Sequence, residues 1–179
     1  MIARLASTRR RVARVAAALA PLCAATGLLV ASSAAAPAPD LAGTTAELVG
    51  RQRAVVRGAG TAYGPATMAL AFDPGAAWRA FVPWAGIYRG RWTARGGRTN
   101  DLVLELDGPT VPAVTRLLDA MAQLATHVEG AKAQVTSYAI RVKRRRGRLD
   151  ALVRARFLTE VNGELRRGVY RAELRGPLP

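Results

Sequence analysis

Three closely spaced carboxylates in this sequence are candidates for acid–base chemistry. Asp101, Glu105 and Asp107 share one parity of a predicted strand, two to four residues apart. A glycosidase places two carboxyl groups about 5–9 Å apart, and such positions could give that spacing. The alternating leucines, however, assign the acids to the outer face of the strand. We therefore expect them to offset the neighbouring arginines Arg91 and Arg95 rather than to catalyse a reaction.

Nucleophilic and metal-dependent chemistry lacks its usual residues. Beyond residue 36 the chain has one serine, Ser137, one histidine, His127, and no cysteine. A catalytic triad needs a nucleophile, a base and an orienting group, and a zinc site needs three or four His, Cys or carboxylate ligands. The segment Gly58-Ala59-Gly60 also lacks the lysine of a phosphate-binding loop. We expect no catalytic residue, no metal and no cofactor, and keep an unrecognised enzyme as a third alternative.

The densest charge cluster surrounds a predicted turn at Gly147. Six basic side chains fall within eight residues: Arg141, Lys143, Arg144, Arg145, Arg146 and Arg148. A solvated hairpin tip accounts for many such runs, and this alternative stays open. The functional alternative is an anionic membrane or envelope surface, where each base contributes about 1 kcal/mol. Nucleic acid is disfavoured as a partner, because aromatic side chains do not stand among these bases.

The aromatic side chains share the opposite, inward-facing parity of the predicted strands. A plain hydrophobic core would look the same, and that interpretation also stays open. The alternative is a cavity for a lipid or another apolar molecule, in which hydroxyl and indole groups supply the few polar contacts. The candidate ligand-binding residues are Trp78, Tyr88, Trp92, Leu104, Tyr138, Phe157 and Tyr170.

Hydrophobic periodicity predicts the elements that position these side chains. Period-two alternation, typical of strands, dominates on both sides of residues 112–128. Within 112–128 apolar residues instead recur at three- and four-residue steps, as in an amphipathic helix, and Gly130 follows. The predicted fold class is mostly β (α+β). It is an antiparallel curled sheet, barrel or half-barrel of about seven or eight strands with one inserted helix at about 112–128.

The dipeptide Asn162-Gly163 predicts a two-residue hairpin loop. This loop pairs Phe157 with Gly168, and the pairs that follow all match apolar positions on both strands. A one-residue slip would move every one of them to the wrong face. The same register sets Arg154 opposite Arg171 on the outer face, an unfavourable pair unless solvent or an anion screens it.

Residues 1–36 have the pattern of a secretory signal peptide. An arginine-rich start without acids precedes the uncharged apolar run 15–31, and small residues follow at 32–36. An uncleaved membrane anchor is the alternative, because 17 residues lie at the lower limit of a membrane span. We expect cleavage within Ala34–Ala38 and export to the periplasm or the extracellular space.

The rest of the chain is predicted to form one domain. Residues 37–47 are predicted as a flexible leader, and 48–179 as a single β-rich domain that includes the helix. Loss of residues 1–36 removes five of 27 basic residues and none of 12 acids, which leaves a net charge of +10. Such a charge favours weak association with anions in general.

The tripeptide Gly90-Arg91-Trp92 resembles the Gly-x-Trp element of lipocalin-like barrels. In lipocalins this element lies in the first strand, whereas here it lies in mid-chain. The one-helix curled sheet and the export pattern are also similar to periplasmic lipid carriers and to small exported proteins of Gram-negative bacteria. These resemblances imply an apolar ligand inside the sheet.

Two hypotheses from different classes follow. The leading one is an exported, non-enzymatic binding protein that holds a lipid or other apolar ligand, with Leu117, Leu118 and Met121 of the helix as a lid. The alternative is an envelope-interaction protein with a filled core. It would bind anionic surfaces through the basic hairpin 141–148.

Overall fold

The computed structural model describes residues 41–178, so the predicted signal peptide 1–36 lies outside the described residues. These residues form eight strands and one α-helix, with a short 3₁₀ turn at Gly108–Thr110 before the helix. In chain order the elements are β1 Thr45–Val56, β2 Gly60–Asp73, β3 Ala77–Val82, β4 Gly86–Arg95, β5 Arg98–Leu106, α1 Val111–Thr126, β6 Ala133–Arg145, β7 Arg148–Val161 and β8 Glu164–Pro177.

The strands close into an antiparallel barrel. Each strand pairs with the next in sequence, and β1 closes the ring by pairing its residues 49–56 with 168–175 of β8. Closure leaves no free sheet edge at this seam. The predicted mostly β fold, with seven or eight strands and one inserted helix, is confirmed.

Two element boundaries differ from the predicted ones. Strand β1 begins at Thr45, and Leu41 is buried in the core, so part of the segment 37–47 that was predicted as a leader packs with the domain. Helix α1 ends at Thr126, two residues before the predicted end. The reason is local: His127 adopts a left-handed backbone with φ 56°, which stops the helix.

The β7–β8 hairpin has the register predicted from Asn162-Gly163. Phe157 faces Gly168, and Arg154 faces Arg171 on the outer face. A methyl group at position 168 would overlap the ring of Phe157. Glycine is therefore required where this aromatic ring crosses the neighbouring strand.

A bulge at Thr136 interrupts strand β6 and reverses its parity. Before it, Ala133 and Val135 face inward, whereas after it Tyr138 and Ile140 do. The extra residue thus turns Tyr138 into the barrel. The sequence pattern predicted the parity after the bulge but not the bulge itself.

Helix α1 lies across one end of the barrel, which we call the helix end. The β1–β2, β3–β4 and β7–β8 turns lie there too, and the β2–β3, β4–β5 and β6–β7 turns lie at the opposite, far end. The inward stripe of the helix consists of Ala113, Val114, Leu117, Leu118, Met121, Ala122 and Ala125. Within residues 41–178 no helix is both long and apolar enough to cross a membrane.

Two seams of the barrel are short. Strand β2 pairs with β3 only through residues 69–73, so its segment 60–68 has no partner on that side. Strand β5 pairs with β6 only through residues 101–104. Elsewhere the ladders are longer, as between β7 and β8, where pairing runs from 148 to 161.

An ion pair reinforces the β5–β6 seam. The Arg141 guanidinium donates two hydrogen bonds to the Asp101 carboxylate, one of them from Nε to Oδ1 at 2.6 Å. The hydrogen bonds hold the pKa of this largely buried carboxyl below its usual value. Arg91 and Arg95, the partners expected from the sequence, do not make this contact. Because Val103 faces Arg141 across the seam, Asp101 lies diagonal to that arginine.

Asp101→Asn should destabilise the protein at neutral pH, because it removes the charged half of this pair. A carboxyl with a lowered pKa in the folded state contributes stability above its unfolded-state pKa of about 3.9. That contribution is lost as the pH falls through the lower, folded-state value. Denaturant unfolding of both proteins between pH 7 and pH 2 should therefore give a constant difference down to about pH 5 and a vanishing one in acid.

Asp107→Asn is the control, because the exposed Asp107 carboxylate makes no ion pair with a residue of 41–178. It should change the unfolding free energy little at any pH. The difference in unfolding free energy between Asp101→Asn and the natural protein should disappear at pH 2. If it stayed the same there, the charged Asp101 carboxylate would not be its cause.

Candidate functional site

An apolar cavity of about 170 Å³ lies inside the barrel against helix α1. Strands β1 to β4, β6, β7 and β8 contribute to its wall, and the helix contributes one leucine. The inner wall consists of Gln52, Met68, Tyr88, Leu117, Tyr138, Val153, Tyr170, Ala172 and Leu174. The leading hypothesis required a cavity, and one is present, although it is small.

Small side chains at inward positions account for the empty volume. Ala66 of β2 and Ala172 of β8 line the cavity at positions where larger residues would fill it. Protein interiors are close-packed, so voids larger than a water molecule are few.

A hydrogen-bond chain joins the neighbouring strands β8, β1 and β2 at one side of the cavity. The Tyr170 hydroxyl donates to Oε1 of Gln52 at 2.9 Å. The Gln52 amide nitrogen then donates to the backbone carbonyl of Pro65 at 2.9 Å. Gln52 is thus satisfied at both ends although it is buried.

The hydroxyl of Tyr88 is the polar group that the protein leaves unpaired in this cavity. Tyr88 is 1 % exposed, and its Oη makes no hydrogen bond of normal length and angle to any group within residues 41–178. The neighbouring Tyr138 hydroxyl is on the donor side of their contact, which lowers the pKa of Tyr88 and raises that of Tyr138, so the proton of Tyr88 itself has no acceptor. Its ring packs edge-to-face against that of Tyr138, with ring centroids 6.2 Å apart and planes at 82°. An unsatisfied buried hydroxyl costs about 1–3 kcal/mol. The Tyr88 hydroxyl is therefore an unused hydrogen-bond donor of the cavity.

The three tyrosines of the cavity are neutral at physiological pH. Burial raises the pKa of Tyr88, Tyr138 and Tyr170 above the ordinary phenol value. Each hydroxyl therefore retains its proton. The cavity contributes neutral donors and apolar surface, and no negative charge.

The mouth of the cavity lies at the short β2–β3 seam. Residues 65–67 of β2 form one side, and residues 82–84 at the β3–β4 turn form the other. Pro65 and Trp84 on this rim are exposed. The absence of a β3 partner for residues 60–68 is what opens the wall here.

The structure separates the predicted ligand-binding residues into two groups. Tyr88, Tyr138 and Tyr170 line the cavity. The remaining four are buried in the core away from its wall: Trp78, Trp92, Leu104 and Phe157.

For two of these four residues, Trp78 and Phe157, contacts within the core explain the position of the side chain. The indole nitrogen of Trp78 donates to the backbone carbonyls of Arg91 and Glu105, both at 3.0 Å. The ring of Phe157 lies against Gly168. Alternation along the strands correctly predicted which side chains face the interior. It could not distinguish the side chains that line the cavity from those in the close-packed part of the core.

Gln52 and Trp84 are site residues that the sequence analysis missed. Gln52 is the polar side chain among the inward positions of β1, between Gly50 and Ala54, and that irregularity was a usable signal. Trp84 lies in a turn outside the alternating pattern, where periodicity carries no information.

The predicted anion-binding residues lie at the far end of the barrel, and half of them are engaged in ion pairs. Arg141 binds Asp101, whereas Arg145 and Arg148 contact the Asp150 carboxylate at 2.8 and 3.3 Å.

The other half of this basic cluster is exposed. Lys143, Arg144 and Arg146 have no acidic partner within 4.0 Å among residues 41–178. A cleft beside this cluster is lined by Arg98, Asn100, Asp101, Lys143, Arg144 and Arg145. We call Lys143, Arg144 and Arg146 the far-end cluster.

A scan against models of known protein families gives no match, and a search among curated proteins gives none either. In the part of the chain that the structure describes, no group of three or more His, Cys, Asp or Glu could hold a metal ion.

Tyr88→Phe should raise the free energy of unfolding by about 1 kcal/mol in the absence of added ligand, because it removes a buried hydroxyl whose proton has no acceptor within residues 41–178. Tyr170→Phe is the matched comparison, since it removes the donor to Gln52 and should cost about 1–3 kcal/mol. Urea unfolding of the three proteins measures both effects. An equal loss of stability in the two variants would show that Tyr88 is hydrogen-bonded in the folded protein.

Proposed function

We propose that the chain is an exported, non-enzymatic binding protein that holds a small apolar molecule, or the end of one acyl chain, in the barrel cavity. The observation that carries this proposal is the Tyr88 hydroxyl, a buried donor without an acceptor in a largely apolar cavity. A closed antiparallel barrel is compatible with such a role.

The size of the cavity limits the ligand. A cavity of about 150 Å³ is sufficient for benzene in another protein, and this one has about 170 Å³. Drug-sized ligands occupy about 300–1,000 Å³. The interior therefore accommodates one aromatic ring or a short length of one acyl chain, and a whole two-chain lipid would have to remain largely outside.

The polar groups of the cavity define the ligand further. The Tyr170 hydroxyl is already bound to Gln52, and that of Tyr138 is on the donor side of its contact with Tyr88, so the Tyr88 hydroxyl is the available donor. A ligand with one neutral acceptor, such as a ketone, ester or ether oxygen, would satisfy it. A carboxylate would bring a buried charge that the three neutral tyrosines do not balance.

Export is supported by the arginine-rich start and the apolar run within residues 1–36. The short Gly90-Arg91-Trp92 element also resembles lipocalin-like barrels, which is in keeping with a binding role.

The natural protein should bind 4-fluoroacetophenone with a dissociation constant of about 0.1 mM, as expected for so few heavy atoms. It should bind 1-ethyl-4-fluorobenzene, which has a similar shape but no acceptor, about fivefold more weakly, since one hydrogen bond is worth about 1 kcal/mol. Titrations followed by ¹⁹F NMR measure both constants. Tyr88→Phe should abolish the preference for the ketone.

Ala172→Leu should fill the cavity and abolish binding of both probes without loss of stability. Ala151→Leu makes the same substitution on the adjacent strand, at a buried position that does not line the cavity. It should cost about 1–3 kcal/mol from overpacking and leave binding in place. Binding of the probes that survives Ala172→Leu would refute the cavity as the site.

A second candidate function is attachment to anionic envelope surfaces through the far-end cluster. The observation that favours it is that Lys143, Arg144 and Arg146 are exposed and lack acidic partners among residues 41–178. Unpaired bases at one end of a cationic protein create a local positive potential. This attachment needs no cavity, so it is independent of the first proposal.

Arg144→Ser/Arg146→Ser should reduce retention on an immobilised sulfated polysaccharide, heparin, with elution at a clearly lower salt concentration. Arg154→Ser/Arg156→Ser removes the same charge from the outer face of β7 and should shift elution less. Because the interaction is electrostatic, both proteins should elute as salt screens the charges. An equal shift for the two double variants would show that net charge alone accounts for retention.

A further inference from the structure

An exposed apolar group stands on the β3–β4 hairpin beside the mouth of the cavity. Phe81 and Ile87 face each other across the two strands on the outer surface, 53 % and 52 % exposed. Trp84 occupies the turn between them and is 74 % exposed. Clustered exposed apolar side chains of this size commonly mark an interaction surface. We call these three residues the apolar tip.

The turn that presents Trp84 is held in place from the helix. Arg116 of α1 donates from Nε and Nη2 to the carbonyl of Ala85, at 3.1 and 2.8 Å. Ala85 itself is buried, and its N–H donates to the Val82 carbonyl at 3.2 Å. Trp84 takes a left-handed backbone with φ 57°, which is unfavourable for a bulky residue and persists only where surrounding contacts fix it. The backbone of the turn is thus fixed, and the indole that it carries is exposed.

Arginines follow directly behind the apolar tip. Arg79 and Arg89 form the next outward-facing cross-strand pair of the hairpin, two residues from Phe81 and Ile87. Arg91 lies two residues further along β4. Successive outward-facing pairs are two residues, or about 7 Å, apart along the strand. Residues 77–91 contain no acidic side chain. Within this group Arg79 makes an ion pair with Asp73 of β2, at 3.4 Å. The outer face therefore changes from apolar to cationic over about 7 Å.

We propose that the β3–β4 hairpin docks on the surface of a lipid bilayer that contains anionic lipids. Tryptophan favours the interface between head groups and acyl chains, where Trp84, Phe81 and Ile87 would lie. Interfacial protein segments bury their apolar face about 5–10 Å deep in the bilayer surface. This depth matches the spacing between the apolar tip and the Arg79–Arg89 pair. Arg79 and Arg89 then lie at the depth of the lipid phosphates, whose charge complements theirs.

Docking in this orientation turns the cavity mouth toward the bilayer. The rim residues 82–84 belong to the same turn as Trp84, so an apolar molecule dissolved in the membrane would meet the mouth without crossing water. This route of entry rests on the proposed binding function, whereas the docking itself does not. The far-end cluster lies at the opposite end of the barrel and would point away from the same bilayer.

The natural tryptophans provide a direct test on the full protein. Trp78 and Trp92 are buried, so a change of emission on addition of vesicles reports Trp84. With vesicles of phosphatidylcholine and phosphatidylglycerol at a ratio of 7:3, the emission should shift to shorter wavelength. Lipids brominated near the head group, at acyl carbons 6 and 7, should quench it. Trp84→Phe should remove the shift and the quenching, and vesicles of phosphatidylcholine alone should give a weaker response.

Two outward double variants separate the apolar and charged contributions. Phe81→Ser/Ile87→Ser should lower the vesicle partition coefficient about tenfold or more, because it removes two large apolar side chains from the interface. Arg79→Gln/Arg89→Gln should lower it about 10–30-fold on the anionic vesicles only. Leu165→Ser/Val169→Ser, which removes exposed apolar residues from the outer face of β8, is the matched control and should leave partition unchanged.

Several outcomes would overturn the docking proposal. One is vesicle binding without a change in Trp84 emission, and another is binding that is lost in Arg144→Ser/Arg146→Ser but not in Phe81→Ser/Ile87→Ser. Self-association in the absence of lipid that depends on Phe81 and Ile87 would instead assign the apolar tip to a second copy of the chain. Ala172→Leu distinguishes the two proposals: it should abolish probe binding while the vesicle-induced shift of Trp84 persists.

Discussion

Closure of an eight-stranded sheet fixes the interior volume that the side chains of this protein must fill. A barrel of this strand number has an interior just wide enough for side chains or one small ligand. Aromatic rings such as Trp78 and Phe157 fill most of it here, whereas Ala66 and Ala172 leave part of it open. The cavity is therefore a consequence of residue size at a few inward positions within an otherwise close-packed core.

The barrel wall divides into a continuous part and an interrupted part. Long ladders join β6, β7, β8, β1 and β2, which gives this side many backbone hydrogen bonds. Strand β3 has six residues, and its short pairing with β2 leaves the mouth of the cavity. Regions with few backbone pairs have the lowest local stability. The mouth thus belongs, together with the β5–β6 seam, to the part of the wall with the fewest backbone pairs.

The cavity also carries a cost in stability that a packed core would avoid. An unfilled volume loses dispersion contacts along its lining, and the Tyr88 hydroxyl is buried without a hydrogen-bond partner from residues 41–178. Residues that serve binding often oppose stability in this way. The long ladders on the other side of the barrel and the Asp101–Arg141 pair at the β5–β6 seam offset part of that cost.

Much of the fold could be predicted from the sequence because alternation and turn chemistry are local signals. Asn162-Gly163 gave the register of β7 and β8, and the three- and four-residue steps gave helix α1 to within two residues. Full closure was left open, since pairing of β1 with β8 joins residues more than a hundred positions apart. Inward parity likewise predicted the three cavity tyrosines among seven candidates. Which inward side chains border empty volume depends on the packing of several strands at once.

The role of Trp84 could not be predicted in the same way, because it depends on two elements that are distant in the sequence. Its exposure follows from the bond between Arg116 and the Ala85 carbonyl, and its position at the cavity mouth follows from the early end of β3. Neither contact has a counterpart in local periodicity. The ion pairs of the basic hairpin were also missed, since Asp150 lies on the partner strand of that hairpin.

The bulge at Thr136 bears on how this sequence can change over evolutionary time. In a regular strand, gain or loss of one residue inverts every later side chain, so selection would remove most such changes. At Thr136 the ladder already contains one unpaired residue, and the flanking segments keep their own inward faces. Single-residue length differences between this chain and its descendants should therefore accumulate at this position of β6 rather than along β7 or β8, where pairing is uninterrupted.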